Sequence, residues 1–306
     1  LALAAPEGDP YDGVSPHPEI LEERAKTLLH LARGTVPIVI STLRGALERT
    51  PAPEAVFDLA VELAVDSDAR LEVIVDTLLA GGYRREDPVG APGEFSTRGG
   101  ILDVYPPDRD EPVRVELFGD TVDSIRSFDP ESQRSVERLR ALLVPPMRET
   151  ADRRQTLMRW AETAGEHWTE AHFGAELRLK LAAAERGESF PGWERLVPLV
   201  EPLEASALDY LASNTVLVVD EPVEVERHGA AFAERLAKRF DETVENGELA
   251  LAPDALFLTG ESLREATERF ARIDLRVLGK AAARVDAEFE LDGGATPAFY
   301  FPLPHD

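Results

Sequence analysis

The 306-residue sequence contains no cysteine. That excludes disulfides, a thiol nucleophile and cysteine ligation of a metal, and it fits a cytoplasmic protein. Lysine is scarce, occurring only at 26, 180, 238 and 280. With 58 acidic against 33 basic residues, the net charge is −25. A chain this negative repels phosphate backbones, and DNA affinity comes largely from Lys and Arg neutralising phosphates. No basic stripe is present. Stand-alone DNA binding is therefore not expected, and a protein partner met through a few arginines fits better. No apolar run approaches the roughly 18–20 residues that a membrane-spanning helix needs, so no membrane partner is expected. The histidines at 17, 30, 167, 172, 228 and 305 form no HExxH pattern, which argues against a zinc site. No G-x-S-x-G is present either. The first residues, "LALAAPEGDP", lack Met and a basic segment. They do not read as a signal peptide; they read as a chain cut into from upstream.

What is present is an ordinary core composition, 43% hydrophobic, over a length that suits one to three domains. Residues 17–33 place Ile20, Leu21, Leu28 and Leu31 at helical spacing, with Gly34 as a stop. "VPIVIST" then reads as a buried parallel strand. From Pro51 the character changes. "VFDLAVELAV" (56–65) alternates, which places Phe57, Leu59, Val61, Leu63 and Val65 on one strand face. Residues 68–83 carry Leu71, Ile74, Val75, Leu78 and Leu79 at helical spacing, with Asp68 as N-cap and Gly81-Gly82 as the end. Strands are expected around 83–89, 93–98, 101–105, 112–118, 121–128 and 136–144, separated by turn signals. Residues 151–186 read as helical, 209–222 as a helix end and a buried strand, and 223–243 as a helix. "ALFLTG" and "LRVLGK" read as short strands. The fold class expected is α/β plus α+β. An incomplete P-loop-like α/β domain would occupy 1–53 and 139–306, interrupted by an antiparallel-sheet-plus-helix module over 54–138.

Chemistry-bearing motifs are few. "VLVVDEP" ends a strand on Asp220-Glu221, the pair a Walker B strand offers to Mg²⁺ and water. The phosphate cradle G-x-x-x-x-G-K-[ST] has no match. Nucleotide hydrolysis and a cofactor are therefore not expected of this chain, and Asp220-Glu221 reads as a degenerate site. Trp160, Trp168 and Trp193 lie in or beside helical stretches and read as core. "PYDGVSPHPEI" (10–20) reads as a turn leading into a helix. In "GEFSTRGGILDVYPP", alternation sends Phe95 and Thr97 to one face and Ser96 and Arg98 to the other, and Gly99-Gly100 permits a tight turn. In "VRVELFGD", Val113, Val115 and Leu117 point inward while Arg114 and Glu116 point outward. On this pattern Arg85, Arg98 and Arg114 share the solvent face of one sheet. They are either locally paired surface charges, worth little each, or an interface.

"GEFSTRGGILDVYPP" followed by "PVRVELFGDTVDSIRSFDPESQRS" resembles the bacterial transcription-repair coupling factor (Mfd) family, in its amino-terminal region related to the excision-nuclease subunit UvrB. "YDGVSPHPEI", "IVISTLRGAL" and "ALDYLASNTVLVVDEP" are similar to that region as well, and in the same order. UvrB-type subunits carry a tyrosine-rich hairpin before the equivalent of the 17–33 helix. Here that insertion is missing, which favours the coupling factor over the alternative, a UvrB-like damage-binding subunit. The resemblance implies a part of a larger protein that recognises RNA polymerase stalled at DNA damage, displaces it by ATP-driven translocation and recruits UvrA. ATP, Mg²⁺, RNA polymerase and DNA would engage parts absent from this chain. It also implies that the inserted module docks UvrA through Arg85, Arg98, Arg114 and Glu116, with Phe95 near them.

Overall fold

The computed structural model describes residues 1–6 and 8–276. The chain starts with β1 (Ala2–Leu3) and the first helix, α1 (Pro18–Ala32). The His17 ring accepts the Glu19 N–H at the N-cap, and Pro18 occupies the first turn, where its missing N–H costs nothing. Leu21, Leu28, Leu29 and Leu31 form its buried stripe. After it come β2 (Ile40–Ser41), α2 (Leu43–Leu47), β3 (Arg49–Thr50) and α3 (Pro53–Phe57). "VPIVIST" does supply a strand parallel to β1, but only two residues long. It is not buried, since Ile38 and Ile40 are 69% and 72% exposed. Parallel strands bury both faces only when helices cover them, and among the described residues β2 pairs with β1 alone.

The middle of the chain is built on alternation. β4 (Val61–Ala64) and α4 (Leu71–Ala80) precede a run of strands: β5 (Arg84–Arg85), β6 (Glu94–Arg98), β7 (Ile101–Val104), β8 (Val113–Phe118), β9 (Thr121–Phe128), β10 (Ser135–Leu139) and β11 (Ala141–Val144). Strands β10 to β5 form one six-stranded sheet in reverse chain order, antiparallel except at β5–β6. The stretch expected over 136–144 is two strands. β10 pairs with β9, whereas β11 crosses over to β4. "VFDLAVELAV" is likewise divided. Pro53 at the first helical position turns 53–57 into α3 and leaves Phe57 exposed, while Leu59, Val61 and Leu63 are buried. Asp68 does not cap α4. Arg70 holds that position, and Asp68 bridges to Thr121 instead.

The core beneath the sheet joins Ile74 and Leu78 of α4 to Phe95, Leu102, Val115 and Ile125, with Leu142 and Val144 of β11 closing it. Each such side chain contributes about 1.5–3 kcal/mol when fully buried. The β6–β7 turn explains its glycine pair. Gly99 has φ +60°, and a Cβ on Gly100 would stand 2.6 Å from the Leu117 carbonyl oxygen. The same two residues are also joined by a bond in which Leu117 N–H donates to the Gly100 carbonyl at 2.7 Å.

The remainder is mostly helical: α5 (Arg154–His167), α6 (Glu170–Ala184), β12 (Ala205–Ser206), β13 (Val216–Asp220), α7 (Pro222–Glu245), α8 (Pro253–Leu256), α9 (Gly260–Glu268) and β14 (Ala271–Leu275). Trp160, Trp168 and Trp193 are core residues here, as their positions suggested. Two expectations need correction. "VLVVD" is a strand but not a buried one: it pairs only with β14 among the described residues, and Val216 and Val218 are exposed. "ALFLTG" is no strand, because Pro253 starts α8 and Thr259 caps α9, leaving a single bridge from Phe257 to Glu48. Among the described residues the final strand is 271–275, which takes in Leu275 of "LRVLGK"; residues 277–280 of that stretch lie outside the described residues.

A buried charge network, unmarked in the sequence, links segments on either side of the strand-rich region. Arg24 of α1 lies 3.0 Å from Glu48 and 2.8 Å from Glu149, and Arg195 reaches Glu48 at 2.6 Å. Mutual pairing offsets the desolvation that would make any one of these charges costly alone. Among the described residues, no helix is long and apolar enough to cross a membrane.

Candidate functional site

The outer face of the six-stranded sheet is charged because alternation leaves it so. Register aligns Ser96, Asp103, Arg114 and Arg126 in one cross-strand row, and Arg98, Ile101, Glu116 and Ser124 in the next. The intervening residues Phe95, Leu102, Val104, Val113, Val115 and Ile125 fill the core. Arg114 donates from Nε and Nη2 to the two Asp103 oxygens, both at 2.6 Å. Its guanidinium also lies over the Phe128 ring, 4.7 Å from the centroid. Arg126 forks onto Glu116 at 2.5 and 3.1 Å, and Ser124 Oγ donates to the same carboxylate at 2.7 Å. The Arg126 and Ser124 hydrogen bonds hold the Glu116 carboxyl below the usual glutamate range.

Arg98 differs from these. Its side chain is 84% exposed, and its pairing with Asp87, at 3.2 Å, is equally open to water. An ion pair of that kind is worth about 0–1 kcal/mol, so its guanidinium is available to another carboxylate. Arg98 closes β6 at the end of the sheet that also carries the β8–β9 turn. That turn presents Phe118, 85% exposed. The Leu117–Gly100 bond holds the two tips together. One end of the sheet therefore combines an open arginine with an open aromatic ring, residue types enriched at protein interfaces.

Two sequence expectations change here. Arg85 does not share a face with Arg98 and Arg114. β5 joins β6 in parallel with Arg85 opposite Phe95, so its guanidinium lies over the Phe95 ring, 5.3 Å from the centroid, and bonds Thr97 Oγ1. Arg84, opposite Glu94, takes the charged face instead. Phe95 is fully buried, beneath the face rather than on it. Phe118 lies outside the expected docking set, although the sequence carries its signal: in "VELFGD" it stands next to inward-facing Leu117, just before the turn. Arg109 lies in the β7–β8 connection, at the opposite end of the sheet.

The acidic pair lies elsewhere. Asp220 is exposed at the end of β13, and Glu221, at φ +49°, leads into α7. Among the described residues, no group of three or more His, Asp or Glu could hold a metal ion.

Residues 61–149 match the family model described as the UvrB interaction domain. All members of the charged face and both tips fall inside that span. Over 279 residues the chain is 34% identical to the transcription-repair-coupling factor of Myxococcus xanthus, covering 88% of this chain and 23% of the relative. The chain is a homologue of the transcription-repair-coupling factors. The Bacillus subtilis coupling factor is 34% identical over 221 residues, covering 67% of this chain and 18% of that protein. The Haemophilus influenzae coupling factor is 26% identical over 273 residues, covering 87% and 23%. The chain thus spans about a quarter or less of the length of the curated coupling factors it matches.

Proposed function

We propose that this chain is the UvrB-like part of a coupling factor and that it recruits UvrA to RNA polymerase stalled at DNA damage. UvrA would dock on the charged sheet face and its Arg98–Phe118 tip. The observation that carries this reading is the coincidence of the UvrB interaction domain match with the one sheet end that leaves an arginine and an aromatic ring open to solvent. The module is best drawn over 61–149 rather than 54–138, since β11 supplies Leu142 and Val144 to its core. The flanking segments belong to an interrupted P-loop-like α/β domain whose nucleotide site is degenerate. Contacts to RNA polymerase and DNA, and ATP-driven movement, belong to the rest of the longer protein, which acts in the cytoplasm.

The test titrates UvrA against the 306-residue chain and three variants. Arg98→Ala should weaken binding by about 2 kcal/mol if it is an anchor. Arg98→Glu should weaken it further, by adding repulsion to an acidic chain. Arg109→Ala, at the far end of the sheet, should bind as wild type. Arg98 variants that melt normally and bind as tightly as wild type would refute the docking assignment.

A further inference from the structure

Two arginines of the charged face stand in opposite states, and the difference assigns a role to two residues outside the expected docking set. Arg98 is solvated and loosely paired. Arg114 is held by three residues. Asp103, its cross-strand neighbour on β7, grips it with two bonds of 2.6 Å. Gln133, from the loop between β9 and β10, accepts from Nη2 at 3.1 Å, and its own amide is fixed by donating to the Pro130 carbonyl at 2.9 Å. The Phe128 ring lies beneath the guanidinium and is itself buried. These contacts occupy Nε and Nη2. No described residue bonds Nη1.

We infer that Asp103 and Gln133 are positioning residues, which lock the Arg114 side chain so that Nη1 alone is presented, preformed, to an acceptor on the partner. This inference rests on the docking reading above and specifies how that surface is organised. An arginine left free would lose rotamer freedom on binding, and ordering such a side chain costs affinity. Locking it within the folded chain removes that cost from the association step. It also sets a chemical division on the face. Arg98 can fork onto a carboxylate with two donors, whereas Arg114 can offer only one nitrogen, which suits a single carbonyl or carboxylate oxygen.

The experiment is a set of UvrA titrations on the full chain with Asp103→Ala, Asp103→Asn, Gln133→Ala, Arg114→Ala, the double variant Asp103→Ala/Arg114→Ala, and Arg98→Ala, each with a thermal melt. Asp103→Ala should weaken binding about threefold to tenfold, the cost of ordering one long side chain. Asp103→Asn, which keeps an acceptor oxygen, should recover part of that loss, and Gln133→Ala should show a smaller loss in the same direction. In the double variant, removing Asp103 should cost nothing beyond Arg114→Ala, because there is no longer an arginine to position. A merely structural role would lower the melt and leave the two losses additive. Equal or tighter binding by Asp103→Ala, or additive losses in the double variant, overturns the positioning role. If Arg98→Ala and Arg114→Ala both bind as wild type, the docking reading itself fails; if those weaken binding while Asp103→Ala does not, only the positioning role fails.

Discussion

Phe118→Ala separates folding from docking more cleanly than any charge change on this face. The ring stands 85% exposed at the β8–β9 turn. Replacing it removes almost no buried surface from the folded chain, so stability should stay within about 0.5 kcal/mol of wild type, as for other surface positions. Docking is another matter. An aromatic ring buries about 150 Å² or more when fully covered. At about 25 cal/mol per Å², the 85% of that area still open to solvent is worth ~3 kcal/mol, of which alanine retains roughly a third. The expected loss is about 2 kcal/mol, a weakening of roughly 30-fold in Kd. Calorimetric titration of UvrA against wild type and Phe118→Ala measures it, with melts of both chains alongside. The apolar character adds a second signature, since burying the ring makes the binding heat capacity more negative, and the variant should lose part of that term. Unchanged affinity with an unchanged melt would show that the open ring is not covered in the complex. The tip would then be no anchor.

Other perturbations probe different parts of the argument. Phe95→Ala, at a fully buried core position, should destabilise the chain by about 3–5 kcal/mol; a denaturant midpoint near wild type would contradict its place in the core. Glu116→Gln should cost under about 1 kcal/mol near pH 7. Because Arg126 and Ser124 lower the folded-state pKa, the stabilisation exists above the ordinary glutamate range and is lost as pH falls through the folded value. The stability gap between the two chains should therefore close in acid, and a gap independent of pH would count against the Arg126 pairing. The chain should not turn over ATP, since its sequence offers no phosphate loop beside Asp220-Glu221; steady turnover abolished by Asp220→Ala would reverse that reading.

The elements whose signals are local were legible in the sequence. α1 runs from Pro18 to Ala32 because a capping residue, a proline and a leucine stripe all lie within one stretch. β6 to β9 fall within a residue or two of their expected limits, since period-2 alternation and glycine turns are nearest-neighbour properties. The outward direction of Arg98, Arg114 and Glu116 follows from the same alternation. Tertiary structure decided whatever depends on which strand lies beside which. Alternation within β5 cannot say whether Arg84 or Arg85 shares the charged face; the parallel register with β6 does. The run 136–144 reads as one strand until β11 leaves the sheet for β4. Apolar "VPIVIST" and "VLVVD" read as buried, yet burial requires a covering layer, and their hydrophobicity carries no information about its presence. The grip of Asp103 on Arg114 spans two strands, and that of Gln133 comes from a loop nineteen positions away. Such pairings form only when register and turn geometry bring distant segments into contact.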